Sequence, residues 1–461
     1  MKDLNLINKK NGDDLKSLLP TPFSIAILLT VITFLLSFIF QKTGENISLT
    51  DIFGFWEKGL WSEKSLVFAF QMMLMLVLGH ALALTKPIKN LIGIIAKYCN
   101  NTANAAAIVS FLTILVSLFN WGLGLIFGAI FARKVAEYAT EKNINLNYPL
   151  IGASGYSGLM VWHGGLSGSA PIKAAEECHI WNLLEDSKVT TIQIPDSVLL
   201  TETIFSNMNI VSSCLLIIFI PLSLYLLGKK TSGKKIEVKE KVVKSVKKNV
   251  TGAERIDYSQ TLAYIISISV LLYCMYKAID TSNGYSLSFI NPNFINLFLF
   301  GLAILLHSNF SRFLRSIDSA ISGASGILIQ FPLYFGIMGV MKETGMIAMM
   351  SDFFIAISTE NTFPIFTFIS SGIVNFFVPS GGGQWIIQGP IILEAASGIG
   401  VSFGKTIMAM AYGDQLTNML QPFWAIPLLS ITGLKAKEII PYTLYLLLIG
   451  SIIFLSVLII F

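Results

Sequence analysis

Two stretches of this chain run for more than thirty residues without a charge, and each is interrupted by helix-breaking polar residues. Residues 98–132 contain Asn120-Trp121-Gly122-Leu123-Gly124. Residues 361–393 contain Asn375-Phe376-Phe377-Val378-Pro379-Ser380-Gly381-Gly382-Gly383-Gln384-Trp385. Hydrocarbon offers backbone groups no hydrogen bonds. Non-helical backbone at membrane depth therefore survives only where protein buries it or where it lines a cavity. Matching interruptions in the two halves of a chain are a sequence pointer to a carrier's binding site.

Composition sets the class. The chain is 54% hydrophobic and 13% charged, against roughly 25% charged in soluble domains, so the expectation is an all-α polytopic membrane protein. The net charge of +5 does not imply nucleic acid, because the basic residues sit in connecting segments. The cysteines Cys99, Cys178, Cys214 and Cys274 show neither CxxC nor metal-ligand spacing, and read as free thiols with no cofactor implied. The first apolar run, 23–41, is too long for a signal-peptide core and is expected to stay as a membrane helix.

Uncharged runs long enough to span a bilayer lie at 23–40, 65–84, 209–227, 259–276, 291–306, 319–341 and 439–461. Two further helical regions, about 148–173 and about 406–434, are broken by polar or glycine-rich patches. The run 103–132, wholly helical, would reach about 45 Å at 1.5 Å per residue. Two crossings of the hydrocarbon need about 60 Å. The expectation is a re-entrant hairpin at about 103–132 and another at about 362–396; the alternative is one tilted span plus a buried connector.

With the N-terminus in the cytoplasm, 24 of the 32 lysine and arginine residues fall on the inner side, as the positive-inside rule asks. The chain then divides into a cytoplasmic segment 1–22, a first membrane repeat 23–228, a basic cytoplasmic linker 229–258 and a second membrane repeat 259–461. The linker reads as a solvated tether or a contact for anionic lipid. The first hairpin opens to the cytoplasm and the second to the exterior, making an inverted repeat. Asn120 to Gly158 and Asn375 to Gly413 share one spacing, 38 residues.

Asp414 is the only charge inside an expected membrane region, and an intramembrane acid is a functional candidate because its insertion is costly. Asn418 and Gln421 follow on the same helix face. That face suits a cation or a carboxyl that carries a proton; a hydrated helix end near Lys405 is the plainer reading. At the second tip, Ser380 can cap a helix starting near Gln384. Gly381, Gly382 and Gly383 would let a carboxylate touch free backbone amides; a tight turn between packed helices is the alternative. In the first half the corresponding elements are Asn120 and the Gly/Ser-rich run 156–171, with Ser157 and Ser167 as candidate substrate contacts. Sodium, if it is the coupling ion, is expected near Asn120, Asn375 and Asp414. His163 within this run, and His80, read first as hydrogen-bonded structural groups. No basic residue lies at mid-depth, so an anionic substrate would be neutralised by helix ends, amides and a co-transported cation. The chain offers no acid–base pair or metal cluster for an enzyme.

The segments 374–390, 411–415, 421–425, 120–124 and 164–169 closely resemble the short-chain fatty acid transporter family, and the similarity runs over nearly the whole chain. The resemblance implies a multi-pass permease of the bacterial inner membrane for acetoacetate, butyrate and similar monocarboxylates, coupled to H+ or Na+. A different small organic anion, such as a dicarboxylate, is the alternative cargo. The wider superfamily implies inverted repeats, two re-entrant hairpins, a dimeric scaffold (hence a homodimer as partner) and often elevator motion. The family pattern carries Glu at position 414 and tends to glycine at 163, where this chain has Asp and His.

Overall fold

The computed structural model describes residues 21–39, 47–181, 195–234, 238, 252–279 and 291–461. Residues 1–20 of the expected N-terminal segment, residues 235–237 and 239–251 of the basic linker, and residues 182–194 lie outside these. Among the described residues the secondary structure is helical, with one isolated bridge between Leu146 and Lys234.

The helices of the first half are α1 (Pro22–Ile39), α2 (Leu49–Leu60), α3 (Glu63–Ala83), α4 (Lys86–Ala96), α5 (Thr102–Phe119), α6 (Trp121–Glu141), α7 (Tyr148–Tyr156), α8 (Ser169–Ala174) and α9 (Asn207–Lys230). The second half contains α10 (Gln260–Ile279), α11 (Pro292–His307), α12 (Phe310–Ala320), α13 (Ser325–Glu343), α14 (Met346–Ala356), α15 (Phe363–Phe377), α16 (Gly381–Ile399), α17 (Phe403–Thr417), α18 (Pro422–Thr432) and α19 (Ala436–Ile460).

Among the described residues, α1, α3, α5, α9, α10, α13 and α19 are long and apolar enough to cross a membrane. The protein is a multi-pass membrane protein. The expected run at 291–306 is the shorter apolar helix α11. The run at 319–341 is divided: its first residues close α12, and a 3-10 turn at Ile321–Ala324 precedes α13. The cause is local, because α12 carries Arg312, Arg315 and Asp318 and starts at its own cap, where Asn309 Oδ1 accepts from the Arg312 amide at 2.8 Å.

Burial separates interior from rim. Only 17% of the apolar window of α10 and 22% of that of α1 is buried, against 56% for α3 and 50% for α5. Ile27, Leu35, Ile218, Leu222, Ile265 and Leu272 are exposed on α1, α9 and α10. Water would not tolerate so continuous an apolar surface, but lipid does.

Each half contains a helix, a short break, a second helix and then a broken helix. In the first, a single residue makes the break. Asn120 ends α5 and begins α6, its amide donating to Val116 O at 2.9 Å and its Oδ1 accepting from the Leu123 amide at 3.0 Å. The arms are 18 and 21 residues, about 27 and 31 Å. The second arm is longer than the uncharged run because Arg133, Lys134 and Glu137 pair along one helix face and extend it to Glu141. In the second half, Val378-Pro379-Ser380 separates α15 from α16, and Ser380 Oγ accepts from the Gly383 amide at 3.2 Å.

The broken helices follow. After α7, two 3-10 turns (Ser157–Met160 and Trp162–Gly164) lead to α8, and a 3-10 turn at Asn418–Leu420 separates α17 from α18. Both of the glycines at matched spacing lie where the broken helix touches the preceding hairpin. A Cβ on Gly158 would fall 2.0 Å from Ser117 Oγ of α5, and one on Gly413 would fall 2.1 Å from Phe368 O of α15. Gly158 is inside its break, whereas Gly413 is still within α17, so the two breaks are offset by several residues.

Candidate functional site

Asp414 lies on α17, four residues before the break at Asn418, and its side chain is 1% exposed. Across from it, in the break after α7, the fully buried His163 places Nδ1 3.5 Å from Asp414 Oδ1. The Ala170 amide donates to His163 Nε2 at 3.0 Å. An amide can only donate, so Nε2 must accept, and the ring proton of the neutral imidazole then sits on Nδ1, facing the carboxyl. The His163 amide donates to Gln415 Oε1 at 2.9 Å, tying the break to the residue after Asp414. Tyr156 continues this seam, its hydroxyl donating to Asn418 O at 2.8 Å. The two broken helices thus meet at their non-helical segments.

Asn375 holds the second hairpin to α17. Its Nδ2 donates to Asp414 O at 2.7 Å, Thr417 Oγ1 at 2.9 Å and Asn418 Oδ1 at 3.0 Å, while its backbone oxygen accepts from Gln421 Nε2. One turn back, Gln384 Nε2 donates to Ser371 O at 2.9 Å and Gln388 Oε1 at 2.8 Å, and Gln388 Nε2 donates to Ser370 Oγ at 3.0 Å. These amides join α15 to α16 through their nitrogens. Their oxygens are left over: Asn375 Oδ1, Gln384 Oε1, Gln421 Oε1 and Asp414 Oδ2 are buried without a hydrogen-bond partner. A buried polar group without a partner costs about 1–3 kcal/mol, and surplus acceptors suit a proton or a cation.

The N-terminus of α16 faces the same place. Ser380 satisfies the Gly383 amide with its side chain and the Gln384 amide with its carbonyl. Among the described residues the Gly381 and Gly382 amides have no acceptor. A Cβ on Gly381 would stand 2.8 Å from Trp162 Cη2, 2.9 Å from His163 Cε1 and 3.3 Å from Asp414 Oδ2, so this glycine is pressed between the tryptophan, the histidine and the acid. Gly382 is more open: its Cβ would meet only Ser169, at 3.9 Å. Ser380, Gly382, Gly383, Ser167, Ser169 and Trp121 are all partly exposed.

The first tip is built differently. Ser167 Oγ accepts from the Trp121 amide at 2.9 Å, and Asn120 Oδ1 caps Leu123. Both candidate side chains are therefore engaged in closing the N-terminus of α6. Trp162 links the tips, its ring 5.8 Å from Trp121 and stacked on His163 at 4.3 Å and 11°. Trp121 in turn meets Trp424 edge-on at 5.1 Å.

Of the residues singled out from sequence, Asp414, Asn418, Asn375 and Gly381 come together, with Gly382, Gly383 and Ser380 at the adjoining helix start. Asn120 and Ser167 hold the other tip. Ser157 is buried and donates to Ser154 O at 2.7 Å, back onto the last turn of α7. Sequence reasoning missed the pairing of His163 with Asp414, and it missed Trp162 and Thr417 altogether. A lone histidine and a tryptophan in an apolar run carry no local signal of such roles. The Gly/Ser-rich break around them was the only available hint.

A sequence profile described as "Short chain fatty acid transporter" matches residues 7–461. Two relatives, from Escherichia coli (strain K12) and Haemophilus influenzae (strain ATCC 51907 / DSM 11121 / KW20 / Rd), are each 35% identical over 444 residues, 95% of this chain and 95% of theirs. Both are described as "Putative short-chain fatty acid transporter". Among solved structures, Neisseria gonorrhoeae MtrF, described with a class of antimetabolite efflux pumps, aligns over 96% of each chain with a TM-score of 0.44 and 12% identity. The profile match over nearly the full length, and 35% identity to both relatives, place the chain in the short-chain fatty acid transporter family.

Proposed function

We propose that this protein is a secondary active transporter, not an enzyme. It carries short-chain fatty acids or related small monocarboxylates such as acetoacetate or butyrate across the bacterial inner membrane, coupled to H+ or Na+, with its N-terminus in the cytoplasm. The observation that carries the reading is the position of Asp414 Oδ2, buried, unpartnered and beside Gly381 at the α16 N-terminus. Free amides and the positive end of the helix dipole favour a carboxylate there. A substrate carboxylate at those amides would face the Asp414 carboxyl. Two carboxyl groups at that range cannot both ionise without a compensating positive charge. Cargo and cation are then obliged to enter together, which is coupling in its simplest physical form. Asp414, with Asn418, is the cation-coupling element. The two tips are re-entrant in this reading, and alternating access moves them between the two sides.

The test uses the purified chain in proteoliposomes. Counterflow of radiolabelled butyrate, and accumulation driven by a proton or sodium gradient, are the expected results. Asp414→Asn is expected to lose gradient-driven accumulation. Full accumulation by that variant would remove Asp414 from coupling, and the gradient that drives wild-type uptake identifies the ion.

A further inference from the structure

We infer that Trp162 is a substrate-binding residue, whose indole N–H donates to the carboxylate held at the N-terminus of α16. The inference deepens the proposed transport reading and rests on it. Trp162 is 4% exposed and its Nε1 is buried with no hydrogen-bond partner. An indole nitrogen is a donor only, and a buried tryptophan ordinarily finds an acceptor. The ring is not free to turn toward one. His163 stacks on it at 4.3 Å and 11°, Trp121 tilts against it at 5.8 Å and 54°, and its Cη2 edge stands 2.8 Å from where a Cβ on Gly381 would lie. The orphan donor therefore belongs to a ring fixed against the helix start that carries the free Gly381 and Gly382 amides.

The donor inventory makes the ligand class specific. The unpartnered N–H groups belong to Gly381, Gly382 and the Trp162 ring pressed against Gly381, and an unpartnered acceptor, Asp414 Oδ2, stands 3.3 Å from where a Cβ on Gly381 would lie. A neutral alcohol or amide would leave part of that set unused. A carboxylate has two oxygens and acceptor capacity for all three. The flanking surface formed by Trp121 and Trp424 is aromatic and apolar, which suits the short aliphatic remainder of a monocarboxylate and penalises a second charge. The bland reading of Trp162 as packing alone accounts for its stacking, but it leaves the indole N–H buried and unpaired.

The experiment is butyrate counterflow in proteoliposomes containing the full chain or Trp162→Phe, which keeps a ring against His163 and Gly381 and removes only the donor. Loss of a hydrogen bond to a charged group predicts a KM higher by about tenfold or more, with the maximal rate changed much less. A second measurement does not depend on the variant folding: ultraviolet resonance Raman of the purified protein, following the hydrogen-bond-sensitive indole band as butyrate is added. Trp56 is the other indole whose buried N–H lacks a partner among the described residues, so the shift must persist in Trp56→Phe. Wild-type counterflow with an unchanged KM in Trp162→Phe, or with no butyrate-dependent indole shift, overturns the role of Trp162 and leaves the transport reading standing. Absence of counterflow in the wild type overturns both.

Discussion

His163 Nδ1 stands 3.5 Å from Asp414 Oδ1, with neither side chain reached by solvent, so the non-helical segment after α7 and the helix α17 meet through an imidazole and an acid. The arrangement is directional. The Ala170 amide fixes Nε2 as an acceptor, which leaves the Nδ1 proton for Asp414. The other titratable side chains of the elements in contact with the pair are engaged elsewhere or lie away from it. Tyr412 donates to Asn209 Oδ1, Tyr156 to Asn418 O, and Lys173 on α8 is held by Glu176. Glu394 stands several turns along α16, and α15 carries no titratable group.

From this geometry, His163→Asn and His163→Leu are expected to behave differently. The asparagine amide can occupy the Nδ1 position and keep a donor toward Asp414, while the Ala170 amide loses its acceptor. Leucine removes both partners and leaves two buried polar groups alone, at about 1–3 kcal/mol each. Thermal unfolding in detergent should rank the wild type above Asn and Asn above Leu. Gradient-driven butyrate accumulation should survive better in Asn than in Leu. Equal behaviour of the two variants would show that the imidazole serves only to fill space.

Gly381→Ala and Gly382→Ala make a paired test of the second tip. A Cβ at 381 would meet Trp162 at 2.8 Å and His163 at 2.9 Å, two rings stacked on one another and unable to yield separately. At 382 the only neighbour is Ser169, at 3.9 Å. The expectation is a lower melting temperature and weak counterflow for Gly381→Ala, with a melting temperature near wild type for Gly382→Ala. A normal melting temperature for both would mean that the two rings and Asp414 do not close on Gly381 as described.

The sequence made local features legible and left distant pairings hidden. Asn120, Pro379 and Ser380 interrupt helices through their own chemistry, so both breaks could be read before any fold was known; the glycine triplet, expected to precede a helix starting near Gln384, is instead the first turn of α16. Asp414 was conspicuous because an acid in apolar surroundings is rare. The expected hairpin ended at residue 132, where the uncharged run stops, yet Arg133, Lys134 and Glu137 pair at i,i+3 and i,i+4 spacing and carry α6 onward. Nothing in the sequence around His163 announces Asp414, since their contact depends on how the two broken helices cross. Ser167 was visible as a polar group in the right run. Its use as the cap of Trp121 depends on the first tip folding back against it.

A pH effect is expected away from the contact of His163 with Asp414. Trp385 Nε1 donates to His179 Nε2 at 3.0 Å, and the rings stack at 6.4 Å. Burial pushes the His179 imidazole below its usual value, Glu176 opposing the shift and Lys173 adding to it. The neutral ring is the form that accepts from Trp385. Its contribution to stability is therefore fully present above the unfolded value of about 6.5 and is lost as pH falls through the lower folded one. The melting temperature should drop between about pH 7.5 and about pH 5, and by less in His179→Gln, which has no titrating ring. An identical drop in both proteins would assign the effect to other groups.

Asn375 offers the sharpest distinction between a donor hub and an ion site. Its Nδ2 serves Asp414 O, Thr417 Oγ1 and Asn418 Oδ1 together, but the first two have other partners: Thr417 Oγ1 also donates to Asp414 O at 3.2 Å and to Gly413 O at 3.1 Å. Asn375→Leu therefore strands mainly Asn418 Oδ1, at about 1–3 kcal/mol rather than three times that. Asn375→Asp keeps the shape but turns an acceptor toward two amide oxygens and a hydroxyl, and should be the less stable of the two in the absence of sodium. Thermal melts of both variants with choline or sodium as the salt cation read the answer. If Asn375→Asp stays below Asn375→Leu in both salts, the position works as a donor that braces the hairpin against α17. If sodium selectively restores Asn375→Asp above Asn375→Leu, the surplus oxygens around Asp414 hold the coupling cation.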